Sequence, residues 1–125
     1  MTNPMDDVAA HSQAMLVIGS NTTEQHPVFG TMLRQAVLKR HAKLIVADPR
    51  KIDLTEFATL HLRLKPGTDI ALLNGLMYII LEKGWEDKAY IAERTENFDD
   101  FKANIMNYPP DAVSETTGIP VEQLY

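Results

Sequence analysis

The residues best suited to chemistry stand at three turns, the first within Leu16-Val17-Ile18-Gly19-Ser20-Asn21-Thr22-Thr23-Glu24-Gln25-His26-Pro27. An apolar strand runs into a glycine, small polar residues follow, and a proline opens a helix. Such a junction presents backbone N–H groups to a phosphate: glycine lets the chain turn and approach a ligand, Ser20 and Asn21 offer side-chain hydrogen bonds, and the helix behind adds unpaired amides. The spacing is neither GxGxxG nor a Walker loop, and the same pattern also ends strands that bind nothing. The second turn is Asp48-Pro49-Arg50-Lys51, where an acid can accept from ribose hydroxyls and the cations can face phosphate or a neighbouring domain. Read more simply, Asp48 starts a turn and Pro49 fixes its φ. The third, Pro66-Gly67-Thr68-Asp69, is a capped helix entry with an acid in the first turn. Its sharper reading is a carboxylate that accepts two parallel bonds from the donor pair of a guanine.

Elements that would position these turns follow from periodicity. A capped entry at Thr2-Asn3-Pro4 leads through a short helical turn to a strand over 15–18. A helix over 27–40 places Phe29, Leu33, Ala36, Val37 and Arg40 on one side, facing a sheet. Residues 43–47 form a continuous apolar strand of the kind buried on both faces, and 60–64 a third strand. Thr68 caps an apolar helix over 69–83, closed by Gly84. The order β-α-β-loop-β-α predicts a Rossmann-like, three-layer α/β domain over 1–125, with a short, doubly wound parallel sheet. In such a sheet ligands bind at the strands' C-terminal edge, where all three turns should converge. The helical C-terminal tail has candidate helices over 87–93 and 97–106, with Phe98, Phe101 and Ile105 on a core face. A further turn spans 111–116, Gly118 ends it, and a new helix starts at 119–125 without an end, which reads as a piece of something larger.

Composition narrows the partners. The chain has 125 residues, 45% of them hydrophobic, enough for one core. A net charge of −5 argues against nucleic acid or an anionic membrane, and Lys39, Arg40, His41 and Lys43 read as a solvated helix end complementing the dipole. Having no cysteine, the chain carries no disulfide, no iron–sulfur ligand and no cysteine nucleophile. No run is apolar enough to insert in a membrane and no leader is visible, so a cytoplasmic protein is expected. His11, His26, His41 and His61 lack metal-ligand spacing and take ordinary surface or loop roles, with His26 before the helix-opening proline suited to orient the loop.

Taken together, Ile18 to Pro27, Asp48-Pro49-Arg50-Lys51 and Lys65-Pro66-Gly67-Thr68-Asp69-Ile70-Ala71-Leu72-Leu73-Asn74-Gly75 resemble the molybdopterin oxidoreductase family, most closely the catalytic alpha subunits of its formate dehydrogenases. The resemblance runs on through Lys88-Ala89-Tyr90-Ile91 and Arg94-Thr95-Glu96-Asn97-Phe98 to Thr117-Gly118-Ile119-Pro120; Thr59-Leu60 departs from it where members often carry an acid. It implies an internal Rossmann-like domain that helps hold a molybdopterin guanine dinucleotide carrying Mo or W. The contacts so implied are Ile18, Gly19, Ser20, Asn21 and Glu24 in the first loop, Asp48, Pro49, Arg50 and Lys51 in the second, and Gly67, Thr68 and Asp69 in the third. Gly19 would allow close approach, Ser20 and Asn21 would meet the diphosphate, Asp48 the ribose and Asp69 the guanine.

By the same resemblance the parent oxidises formate to carbon dioxide, with a [4Fe–4S] cluster and metal ligands lying outside this segment, which alone would be inactive. Its partners would be the remaining domains of the catalytic subunit and electron-transfer subunits. Two alternatives keep the fold: another member such as a nitrate reductase, or the cofactor-free domain in the large iron–sulfur subunit of NADH:quinone oxidoreductase. Retention of all three loops favours a cofactor-binding domain over a purely structural one. A free-standing nucleotide-binding module fits less well with the unfinished last helix.

Overall fold

In the computed structural model, which describes residues 3–125, the chain forms two compact units, Met1–Arg63 and Leu64–Tyr125. Thr2, part of the expected capped entry, lies outside the described residues; Pro4 takes the N-cap position with no side-chain bond.

The first unit is built on a parallel sheet in the order β1-β2-β3, with β1 Ala14–Ile18, β2 Lys43–Ala47 and β3 Leu60–Leu62. β2 is central, so its side chains have neighbours on both flanks: Leu44, Val46 and Ala47 are fully buried. Helix α1 spans Met5–His11, α2 Thr22–Gln25 and α3 Pro27–Arg40. Proline at the first position of α3 loses no hydrogen bond there, because that N–H has no intrahelical partner. Leu33 and Ala36 of α3 join Met15, Ala42, Leu44, Val46, Ile52 and Leu54 in one core, with Phe29 and Val37 packed beside it. The helix ends as His41 turns left-handed, φ 56°. Arg40 is not simply solvated: its guanidinium donates to the carbonyls of Ala9 and Ser12, closing the C-terminal end of α1. A 3₁₀ turn, Asp53–Phe57, joins β2 to β3. The third strand is shorter than 60–64, because pairing with β2 stops at Leu62.

The second unit is helical: α4 Asp69–Lys83, α5 Lys88–Arg94, α6 Phe98–Ile105, α7 Pro110–Thr117 and α8 Val121–Leu124. α4 packs on α6 and α7. The approach to α7 is close enough that a Cβ on Gly75 would lie 2.8 Å from both methyl carbons of Val113. α4 ends at Gly84 in the left-handed region, as its position after the apolar run predicts. On α6 only Ile105 enters the core; Phe98 and Phe101 stack at 6.2 Å between ring centres, with Phe98 half-buried and Phe101 exposed. Among the described residues no helix is long and apolar enough to cross a membrane.

Candidate functional site

Gly19 extends the ladder by one bond, its N–H donating to Ala47 O at 3.2 Å, and then turns left-handed at φ 64°. A side chain here would be strained by the backbone, yet nothing lies within 4 Å of where its Cβ would stand. The glycine therefore faces open space. The chain then enters α2, which sequence reading had as loop: Asn21 O accepts from Glu24 N at 3.1 Å and Gln25 N at 2.9 Å. Ser20 Oγ and Thr22 Oγ1 pair at 3.1 Å. Among the described residues the amides of Ser20 and Asn21 have no partner in the chain. His26 joins α2 to α3 by its main chain, its N–H donating to Thr22 O at 2.9 Å and its carbonyl accepting from Gly30 N at 2.8 Å. Gly30 lets α3 start against α2, since its Cβ would stand 3.3 Å from Thr22 O. Arg34 secures the far side, donating to Thr23 Oγ1 at 2.9 Å with its guanidinium over the Phe57 ring.

The second loop follows β2, and Asp48 N donates to Leu62 O at 3.2 Å, carrying the β2–β3 ladder into it. Asp48 is 1% exposed. Its Oδ1 accepts from Arg50 N at 2.8 Å and Arg50 Nε at 3.1 Å, and its Oδ2 from Arg50 Nη2 at 3.2 Å. Burial by itself pushes the carboxyl pKa up, but these bonds and the charge of Arg50 outweigh it and hold the group below its ordinary value. Arg50 in turn holds its proton more tightly through its bond to Asp48, with Glu24 of the first loop adding to the field. Ile18, at the end of β1, is half-buried, and Lys51 is exposed. Asp48 starts a turn, as the simpler sequence reading has it, and both its oxygens meet Arg50.

The third loop belongs to the second unit. Pro66 and Gly67 occupy the centre of a four-residue turn closed by Thr68 N donating to Lys65 O at 3.3 Å, with Gly67 at φ 79°, the signature of a type II turn. No atom stands within 4 Å of a Cβ on Gly67 either. Thr68 occupies the N-cap position but does not cap: its hydroxyl donates to Lys65 O at 2.6 Å instead of receiving from the helix. The turn is anchored by Lys65 N donating to Thr117 O at 2.8 Å. Asp69 is exposed in the first turn of α4.

His61, expected in an ordinary surface or loop role but half-buried in β3, and Arg63, for which no role was expected, complete the second loop. His61 Nε2 lies 2.9 Å from Asp48 O, and Arg63 Nε donates to Pro49 O at 3.0 Å. Their spacing at i and i+2 at the end of a strand was the available signal. Among the described residues no three metal-binding side chains gather.

A family model described as molybdopterin oxidoreductase matches residues 1–116. The chain is 35% identical over 125 residues to formate dehydrogenase H of Escherichia coli, covering 99% of this chain and 17% of that protein. It is 39% identical over 109 residues to a nitrate reductase of Synechocystis, covering 86% of this chain and 15% of that protein. Among solved structures, acetylene hydratase from Pelobacter acetylenicus aligns with TM-score 0.85 and 35% identity, covering 93% of this chain and 16% of that one. The chain thus spans less than a fifth of these relatives, whose names describe three different activities.

Proposed function

The chain belongs to the molybdopterin oxidoreductase family, and from that premise we propose that it helps hold the nucleotide end of a molybdopterin guanine dinucleotide within a longer catalytic subunit. The observation that carries this reading is the open, left-handed Gly19 followed by the unpartnered amides of Ser20 and Asn21. A diphosphate needs close backbone approach and N–H donors, and this turn offers both, while Glu24 of the same loop bears on the charge of the exposed Arg50 side chain. When bound, the metal–pterin group supplies the two-electron chemistry. The residues of this chain bind and orient it: Ser20 and Asn21 through their amides, Arg50 and Lys51 as cations, Asp48 by fixing Arg50, Glu24 by its field on Arg50, and Asp69 as acceptor for guanine. Gly67 and Thr68 shape the turn that presents Asp69.

For the whole protein the reading we favour is oxidation of formate to carbon dioxide, with electrons passing to a [4Fe–4S] cluster and electron-transfer subunits. It rests on motif order and on the likeness to formate dehydrogenase H. The likeness to a nitrate reductase supports nitrate reduction as the second reading.

The test is nucleotide content. Guanine dinucleotide released by acid from the whole purified protein should approach one per polypeptide or a simple multiple. Asp69 is exposed in this chain, so only a bound guanine would bury it; Asp69→Asn then replaces one acceptor by a donor facing another donor, a loss of about 2–4 kcal/mol, or roughly 30- to 1000-fold in affinity. As a helix-start charge alone Asp69 would contribute ~0.3–1 kcal/mol, seen as lower melting temperature with full cofactor. That second outcome would remove Asp69 from the site.

A further inference from the structure

We propose that His61 and Arg63 are positioning residues that hold the Asp48–Lys51 loop in its ligand-ready form before any ligand arrives, an inference that rests on the nucleotide-binding reading above. The main-chain groups of this loop can be followed one by one. Asp48 N donates to Leu62 O at 3.2 Å, Asp48 O receives His61 Nε2 at 2.9 Å, and Pro49 O receives Arg63 Nε at 3.0 Å. Pro49 has no N–H, and Arg50 N donates to Asp48 Oδ1 at 2.8 Å. Three consecutive residues, His61 to Arg63, thus take every polar main-chain group from Asp48 N to Pro49 O, which fixes the first half of the loop. A carbonyl can only accept, so His61 carries its proton on Nε2. The Arg50 side chain so aimed is 65% exposed, and its Nη1 has no partner among the described residues.

Sheet formation alone does not call for these side chains. His61 is half-buried and pairs through its backbone with Val46, a place that an apolar residue would fill as well. What only a donor at 61 can do is bond the Asp48 carbonyl across to the next loop. A loop ordered in advance loses less freedom on binding, so the benefit should appear as cofactor retention more than as fold stability.

The whole protein, as purified with its cofactor, is passed repeatedly through desalting columns while guanine dinucleotide per polypeptide is followed. His61→Leu should lose dinucleotide about 3- to 10-fold faster than wild type, the range expected for one hydrogen bond. His61→Gln, whose amide can donate to the same carbonyl, should return to within about 2-fold. In an Arg50→Gln background His61→Leu should add nothing, because the group it positions is gone; a merely structural role would leave the two effects multiplying. Equal retention by His61→Leu and wild type, or multiplying effects, overturns the proposal. Wild-type protein without guanine dinucleotide removes the binding reading itself and this inference with it. Should His61→Leu fail to accumulate, Arg63→Leu at its exposed position carries the same comparison with the Pro49 carbonyl.

Discussion

In the Met1–Arg63 unit a parallel sheet ends in loops whose shape is set bond by bond, whereas in the Leu64–Tyr125 unit helices approach until Gly75 meets Val113. The first arrangement fixes where donors point and leaves space over Gly19; the second fixes how closely two helix axes pass. Directed polar groups suit a ligand of definite hydrogen-bonding pattern, and close packing suits a support. The third loop mixes the two, since its type II turn is hydrogen-bonded while its anchor is the end of α7 at Thr117. Substitutions that damage packing should therefore cost stability in either unit, and those that damage direction should cost ligand binding in the first.

The largest expected effect is common to both units and sets the scale. Leu44 on β2 and Leu72 on α4 are each fully buried. Truncation to alanine should cost about 2–5 kcal/mol in either place, read from denaturant midpoints. A cost below 1 kcal/mol at Leu44 would mean that the sheet is not the core of its unit.

Next comes Asp48. Asp48→Asn keeps one acceptor but loses charge-assisted bonds to Arg50 in a buried position, and should cost about 1.5–3 kcal/mol at neutral pH. Because folding lowers the pKa of Asp48, its contribution is complete above the ordinary value of 3.8 and disappears as pH falls through the lower folded value. The gap between wild type and Asp48→Asn should therefore hold from pH 7 to about 5 and close in stronger acid. A gap that widens on acidification would contradict the ion pair. In the second unit the matching substitution is Gly75→Ala. The added methyl group meets Val113 at 2.8 Å, a clash costing about 1–3 kcal/mol less the ~1 kcal/mol that alanine gains over glycine in a helix. A net loss near 1 kcal/mol should be recovered in large part by Val113→Ala in the same chain.

How much of this was legible follows the same division. Strand β2, helices α3 and α4, and the glycine stops were readable because periodicity and capping act locally: Lys43 to Ala47 is apolar without a break, and Gly84 follows the last apolar turn of its helix. At Pro66-Gly67-Thr68-Asp69 the helix entry was readable but not its form, since Thr68 turns its hydroxyl back to Lys65 O instead of capping. Helix α2 was not readable, because Thr22 to Gln25 is a single turn with no apolar period, lying against α3 at Gly30. The candidate loops were legible as places, but not the roles inside them. That His61 reaches Asp48 O depends on strand register, which fixes who stands beside whom across the sheet, whereas Asp48 and Arg50 stand two residues apart and meet within their own turn. Phe101 was misplaced into the core because helical period shows which residues share a face, not whether that face is covered.

A substitution at Gly19 separates the two kinds of order most sharply, because its modest cost in stability can be set beside its effect on binding. Gly19→Ala introduces a side chain at φ 64°, which costs about 1–2 kcal/mol of backbone strain, and the methyl group meets no atom of the chain. Were Gly19 only a turn residue, cofactor content would follow this modest loss and no more. If instead a diphosphate lies against the backbone at that point, the methyl group occupies the space the ligand needs, and binding should fall much further than stability. Gly84→Ala is the control, since its φ of 68° and its open surroundings are alike while it ends α4, outside the three loops. The measurement is unfolding midpoint beside guanine dinucleotide per polypeptide for both variants. Gly19→Ala protein that unfolds slightly earlier yet keeps its full dinucleotide would show that the open space above this turn is not where the ligand sits.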